Sequence, residues 1–289
     1  MTPDLGVVAA AVAPRGPKGD LDCGATFELV DFLCAARVTG IALFTAAAEY
    51  PAFGVEERMR VLYLAAKRSR VPVYAGVGAI GLDDTLTLAR DARRAGAEGV
   101  LVPPPHFYRY RQDEVMEFYL RFAAQFGGGI PAYLVNIPPE AAIEIETALD
   151  LLRGGEFAGI VDPEAKAAQF AALDAAYLSG DDRNLAASRA GGAHGVVSSS
   201  ASAVPELVVA LDAAVMAGAS GRVEQLGAMM AEFLAWADEF PFPVIVKVAA
   251  GVRGVKVGAQ SVPLPPTRQR RLDAFREWFA GWSAELKQV

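Results

Sequence analysis

The chain has 289 residues, 53% of them apolar, enough for one large buried core; a (β/α)8 barrel of about 250 residues plus an appendage fits this length. A formal net charge of −7, with cations as scattered as Arg15, Lys18 and the stretch 268–271, leaves no basic field to hold a phosphate backbone, so no nucleic-acid partner is expected. The apolar run 6–14 has no basic region before it and is too short to span a bilayer, while Cys23 and Cys34 show neither CxxC spacing nor a secretory context; a reduced, cytoplasmic protein without a membrane anchor, disulfide framework or zinc site is expected.

From residue 6 onward, short runs rich in Val and Ile alternate with longer stretches whose apolar residues recur at helical spacing, the pattern of repeated βα units. Strands are predicted over 6–14, 40–46, 71–77, 99–103, 131–137, 157–162, 176–180 and 195–199. Each is nearly continuously apolar, as in a strand covered on both faces. Between them, Asp83 and Asp84 start a helix over 86–95 that stops at Gly96, a second runs over 113–126 to the glycines 127–129, and a third over 143–152 to Gly154. Helices over 204–217, 221–240, 244–252 and 267–287 are more than eight units need, so residues 1–217 are read as the barrel and 218–289 as a helical extension packed on it. A doubly wound open sheet is the alternative, but no G-x-G-x-x-G follows any strand, which favours the closed TIM-barrel architecture.

Barrel chemistry sits where strands run into their C-terminal loops. Those junctions are Leu43-Phe44-Thr45-Ala46-Ala47-Ala48-Glu49, Pro105-His106-Phe107-Tyr108, Val135-Asn136-Ile137-Pro138, Gly159-Ile160-Val161-Asp162, Ser179-Gly180-Asp181-Asp182 and Gly195-Val196-Val197-Ser198-Ser199-Ser200. The pair Ser179-Gly180-Asp181-Asp182 and Gly191-Gly192-Ala193-His194-Gly195-Val196-Val197-Ser198 resembles the SGDD and GGxGVIS motifs of the dihydrodipicolinate synthase and N-acetylneuraminate lyase family. Val135 to Pro138 is similar to its YNxP, Gly159 to Asp162 to its GIK(E/D), and Val246-Lys247 with Leu264-Pro265 to its C-terminal PVK and LPL segment. The resemblance spans almost the whole chain.

The resemblance implies a lysine on strand six that forms an imine with a 2-oxo acid such as pyruvate; the matching residue here is Val161. It also implies a proton-relay tyrosine at Val135, a pair of substrate-binding threonines at Ala46 and Ala47, a tyrosine lent by a neighbouring subunit at Phe107, and a carboxylate-binding arginine near Glu140. Without a primary amine there is no imine, and a methyl or phenyl group cannot relay a proton. Five such replacements predict a barrel that has lost the lyase or aldolase reaction, a binding or regulatory pseudoenzyme.

Among the six lysines only Lys166, five residues past Val161, lies near the strand-six exit as a displaced nucleophile, and it is read as a solvent-facing helix residue. Thr45, Glu49, His106, Asn136, Asp162, Asp181, Ser198 and Ser199 remain as polar candidates around the mouth. Glu49 is read as a loop-tying carboxylate before a general base, Asp181 and Asp182 as turn and cap residues, His194 as structural and His106 as the better-placed histidine. Glu49, Asp162 and Asp181 are hard oxygen donors, but no spacing motif supports a metal, and no cofactor is expected. The serine run before residue 204 is read first as packing and second as an anion site. The rival reading is an enzyme acting on a small oxo or hydroxy acid through a carboxylate, with or without a metal, or through Lys166. A small oxo acid or other carboxylate is the expected ligand, and the resemblance implies a homodimer or homotetramer.

Overall fold

The computed structural model describes residues 2–139 and 141–289. Eight parallel strands close on themselves in sequential order, β1 pairing with both β2 and β8. Strands and helices alternate as β1 (Gly6–Ala10), α1 (Cys23–Ala35), β2 (Gly40–Leu43), α2 (Val55–Arg68), β3 (Val73–Gly76), α3 (Leu82–Ala95), β4 (Gly99–Val102), α4 (Gln112–Phe126), β5 (Ala132–Val135), α5 (Ile145–Arg153), β6 (Gly159–Asp162), α6 (Ala167–Phe170), β7 (Ala176–Ser179), α7 (Leu185–Ala190), β8 (Gly195–Ser198) and α8 (Pro205–Met216). Three further helices follow: α9 (Ser220–Asp238), α10 (Val244–Val252) and α11 (Pro266–Trp282). This is the expected (β/α)8 barrel with a helical C-terminal extension.

Helix ends are set locally; Asp83 and Asp84, expected to start the helix after β3, lie in the first turn of α3, which begins at Leu82. Asp22 caps α1 by accepting from Ala25 N at 3.0 Å. Gly96 and Gly127 close α3 and α4 at φ 83° and 68°, conformations that L side chains avoid. The strands are shorter than predicted, four or five residues each, because the apolar runs continue past the ladder into the rim. β2 stops at Leu43 since Phe44 takes a left-handed φ of 61°. Gly76 permits this reversal: a Cβ there would lie 2.1 Å from the Phe44 carbonyl oxygen.

Two cores result from the alternation of side chains along each strand. Ala9, Ile41, Leu134, Ile160, Tyr177 and Val196 pack outward under the helices. Val8, Ala10, Ala42, Tyr74, Leu101, Tyr133, Val161, Leu178 and Val197 fill the barrel interior, with Ala47 from the loop after β2. The extension is built around rings: Phe233 and Trp236 on α9 meet Phe275, Trp278, Phe279 and Trp282 on α11, the Trp278 and Trp282 centroids 5.3 Å apart. Among the described residues, no helix is long and apolar enough to cross a membrane.

Candidate functional site at the C-terminal ends of the strands

Parity along each strand decides what reaches the interior. The last inward-facing residues of β1 to β8 are Ala10, Ala42, Gly76, Leu101, Val135, Val161, Leu178 and Val197, placed by the interior cluster and by register pairs such as Val135 with Val161, Val161 with Leu178 and Gly76 with Leu101. None carries an amine, hydroxyl or carboxyl group. Val161 is 4% exposed, at the position where the resemblance implies the lysine. Ala47 also faces the interior, whereas Ala46 is exposed.

The polar residues that follow these positions point the other way. Asp162, 2% exposed, shares the outward face of β6 with Ile160, and its carboxylate accepts from Asn136 Nδ2 at 2.9 Å and from the Tyr177 hydroxyl at 2.9 Å. Asn136 in turn accepts from Ile143 N at 2.8 Å, so the three side chains tie the ends of β5, β6 and β7 together outside the barrel wall. Burial, the largest cause, and the neighbouring Asp162 and Glu164 push the Tyr177 phenol far above its ordinary range, keeping it a hydrogen-bond donor. Ser198 accepts from Ala201 N at 3.0 Å, and Asp182 accepts from Ser199 Oγ at 3.1 Å and Ser200 N at 2.9 Å. Asp181 caps its own turn through Arg183 N at 2.9 Å and pairs with the Arg183 guanidinium.

Glu49 sits at φ 51°, closing the 3-10 turn Ala46–Ala48. Its carboxylate accepts from Lys247 Nζ at 2.8 Å and from Ser261 N at 3.0 Å, and Lys247, wholly buried on α10, also donates to the Ala259 carbonyl at 3.0 Å. Burial alone would raise the Glu49 carboxyl, but the bonds from Lys247 and Ser261 outweigh it and hold the group below its ordinary value. Sequence reasoning missed Lys247, although one cation inside the apolar helix Val244–Val252 is the signal of a buried pair.

His106 is bridged between the Tyr50 hydroxyl at 3.0 Å and the Pro104 carbonyl at 3.1 Å. Burial pushes the Tyr50 phenol up to about 12, opposed by Arg58. Arg58, also missed, is 3% exposed and donates to the Gly76 and Gly78 carbonyls at 2.8 Å each. Lys166 pairs with Glu164 on the surface, which raises its ammonium pKa. Glu49, Asp162 and Asp181 thus engage three separate sets of partners, and among the described residues no three His, Cys, Asp or Glu side chains are grouped to hold a metal ion. Thr45 differs from its neighbours: its Oγ1 is buried and has no hydrogen-bond partner. Phe107 is 66% exposed, its ring edge-to-face with Tyr108 at 4.9 Å; Glu140 lies outside the described residues.

A closed parallel barrel with its candidate site at the strand ends and a clamped helical extension defines the class. The model of the dihydrodipicolinate synthetase family matches residues 4–279, and the chain belongs to that family. A 4-hydroxy-tetrahydrodipicolinate synthase of Xylella fastidiosa is 30% identical over 271 residues, covering 90% of this chain and 89% of the relative. An uncharacterized DapA-like lyase of Halobacterium salinarum is 31% identical over 268 residues, covering 90% and 88%. The 4-hydroxy-tetrahydrodipicolinate synthase of Methylacidiphilum fumariolicum superposes with a TM-score of 0.88 at 24% identity over 98% of both chains. A catalytic-lysine mutant of the Ruminococcus gnavus sialic acid aldolase superposes at 0.87 and 19% identity, also over 98% of both; these two likenesses are of fold.

Proposed function

We propose that this chain is a member of the family that has given up lysine-imine chemistry and binds a small molecule at the strand ends, as a cytoplasmic binding or regulatory protein. The observation that carries the reading is the inward ring itself: none of the last inward-facing residues of the eight strands offers a primary amine to a carbonyl or an acid or base to a carbanion. The lysines elsewhere do not repair this. Lys247 is enclosed by Glu49 and the Ala259 carbonyl, and Lys166 is held protonated on Glu164. The same loops suggest a homodimer or homotetramer, since the exposed Phe107 and Tyr108 rings beside the mouth are a ready contact for a second copy.

The relatives favour a second reading, a working lyase or aldolase on a small 2-oxo or hydroxy acid, because the two described above are named a synthase and a lyase. Here it requires a displaced lysine or a carboxylate. The two readings separate when the protein is incubated with pyruvate and borohydride and its intact mass measured. The first expects no adduct. A stable gain of reduced pyruvate mass overturns it, and mapping to Lys166 or Lys247 establishes the displaced amine. Turnover abolished both by chelator and by Glu49→Gln supports the carboxylate route instead.

A further inference from the structure

Between α10 and α11 the chain runs over 255–265 without helix or strand, and its middle is fastened to the loops that follow β1 and β2. Arg15 N donates to the Val257 carbonyl at 3.1 Å and Arg15 Nη1 to Ser261 Oγ at 2.9 Å, which ties the segment to the loop after β1. Lys247 Nζ, paired with Glu49, donates to the Ala259 carbonyl at 3.0 Å, and Ser261 N donates to the Glu49 carboxylate at 3.0 Å. Those two bonds tie it to the turn after β2. At Gly258, φ 67°, backbone lies on backbone: a Cβ there would be 2.0 Å from the Arg15 carbonyl oxygen.

Little apolar burial backs these bonds. No residue from 256 to 265 is buried; Val257 and Leu264 only touch the edge of the core, and Val262 is 73% exposed. The one ion pair of the segment itself, Lys256 with Glu28, lies in solvent, where such pairs contribute little. A segment held by polar contacts with so few apolar ones belongs to the low-stability end of a fold and opens before the whole unfolds. One atom also works against the closed position. Gln260 Oε1 is shielded from solvent and has no hydrogen-bond partner. A carbonyl oxygen that loses water on closure and gains no donor favours the state in which water reaches it again. Gln260 stands between Ala259 and Ser261, so the movement that frees its amide also releases Glu49. Glu49 in turn ends the 3-10 turn that carries Ala47 into the barrel interior.

We infer that residues 256–261 form a strap that opens together with the turn 44–49, ahead of the rest of the extension, and uncovers the rim of the barrel mouth beside β1 and β2. That the mouth binds a ligand is the reading proposed above; the motion itself needs none. Hydrogen–deuterium exchange of the full chain, read by mass spectrometry on peptides covering 44–53 and 255–265, tests it. Both peptides are expected to exchange faster than those of α9 and α11, which the ring stack holds together. Gly258→Ala presses a methyl group on the Arg15 carbonyl and is expected to speed exchange about tenfold or more in both peptides, leaving α9 and α11 at the wild-type rate. Gln260→Met removes the unpaired carbonyl at similar volume and is expected to slow both about threefold or more. The inference is overturned if Gly258→Ala accelerates only 255–265 or neither peptide, if α9 and α11 accelerate equally, or if Gln260→Met leaves exchange unchanged or faster. A borohydride-trapped adduct defeats the binding reading instead and leaves the strap as it stands.

Discussion

Glu49 and Lys247 are 198 residues apart, and their pairing is what joins the turn after β2 to the extension. Removing Lys247 leaves the partly buried Glu49 carboxylate, its side chain 14% exposed, without its cation, so Lys247→Met is expected to lower the unfolding free energy by about 1–3 kcal/mol in urea titrations. The double variant Lys247→Met, Glu49→Leu should recover most of that loss. The pH dependence has a definite sign. Because the folded Glu49 carboxyl lies below its ordinary 4.5, its contribution is fully present above that value and is lost as the pH falls through the lower, folded one. Stability measured by acid titration should therefore drop less steeply below about pH 4.5 in Glu49→Gln than in the wild type. At the scale of single residues, the types at positions 46, 47, 135 and 161 could be read from the chain. That Val161 faces inward was implied by the family resemblance alone: a strand buried on both faces carries no polar alternation to mark its parity, and here all four residues of β6 are buried.

Among the elements, the eight strands and the helix α10 were visible as apolar runs between turn signals, and α10 falls over 244–252 as expected. The strand ends were overextended because an apolar rim residue such as Phe44 differs from a ladder residue only in its backbone angle. Alanine composition likewise concealed how short α6 is: the connection between β6 and β7 contains one four-residue helix, Ala167–Phe170, anchored by the buried Phe170 against Tyr177 at 5.2 Å between ring centroids. The loop between β4 and α4 carries a prediction of its own. If Phe107 and Tyr108 meet a second copy, Phe107→Ser with Tyr108→Ser should shift sedimentation toward the monomer without changing the circular dichroism spectrum. Sedimentation identical to the wild type would remove this loop from any interface.

At the scale of the whole molecule, the barrel could be inferred because eight repeats of one unit leave few ways to close a core. The clamps that complete it could not, since Lys247 with Glu49 and Trp282 with Glu232 are long-range pairs chosen by packing. The boundary read after residue 217 falls in the connection between α8 and α9, yet helix α10 and the segment 259–261 hold the turn after β2. All three tryptophans of the chain, Trp236, Trp278 and Trp282, belong to the ring stack between α9 and α11, and the barrel has none. Intrinsic fluorescence is therefore a reporter confined to the extension, while far-ultraviolet ellipticity is dominated by the barrel. If the buried clamp makes the two parts one cooperative unit, both signals will trace a single denaturation curve; an extension that melts alone will quench or redden the emission before the ellipticity moves.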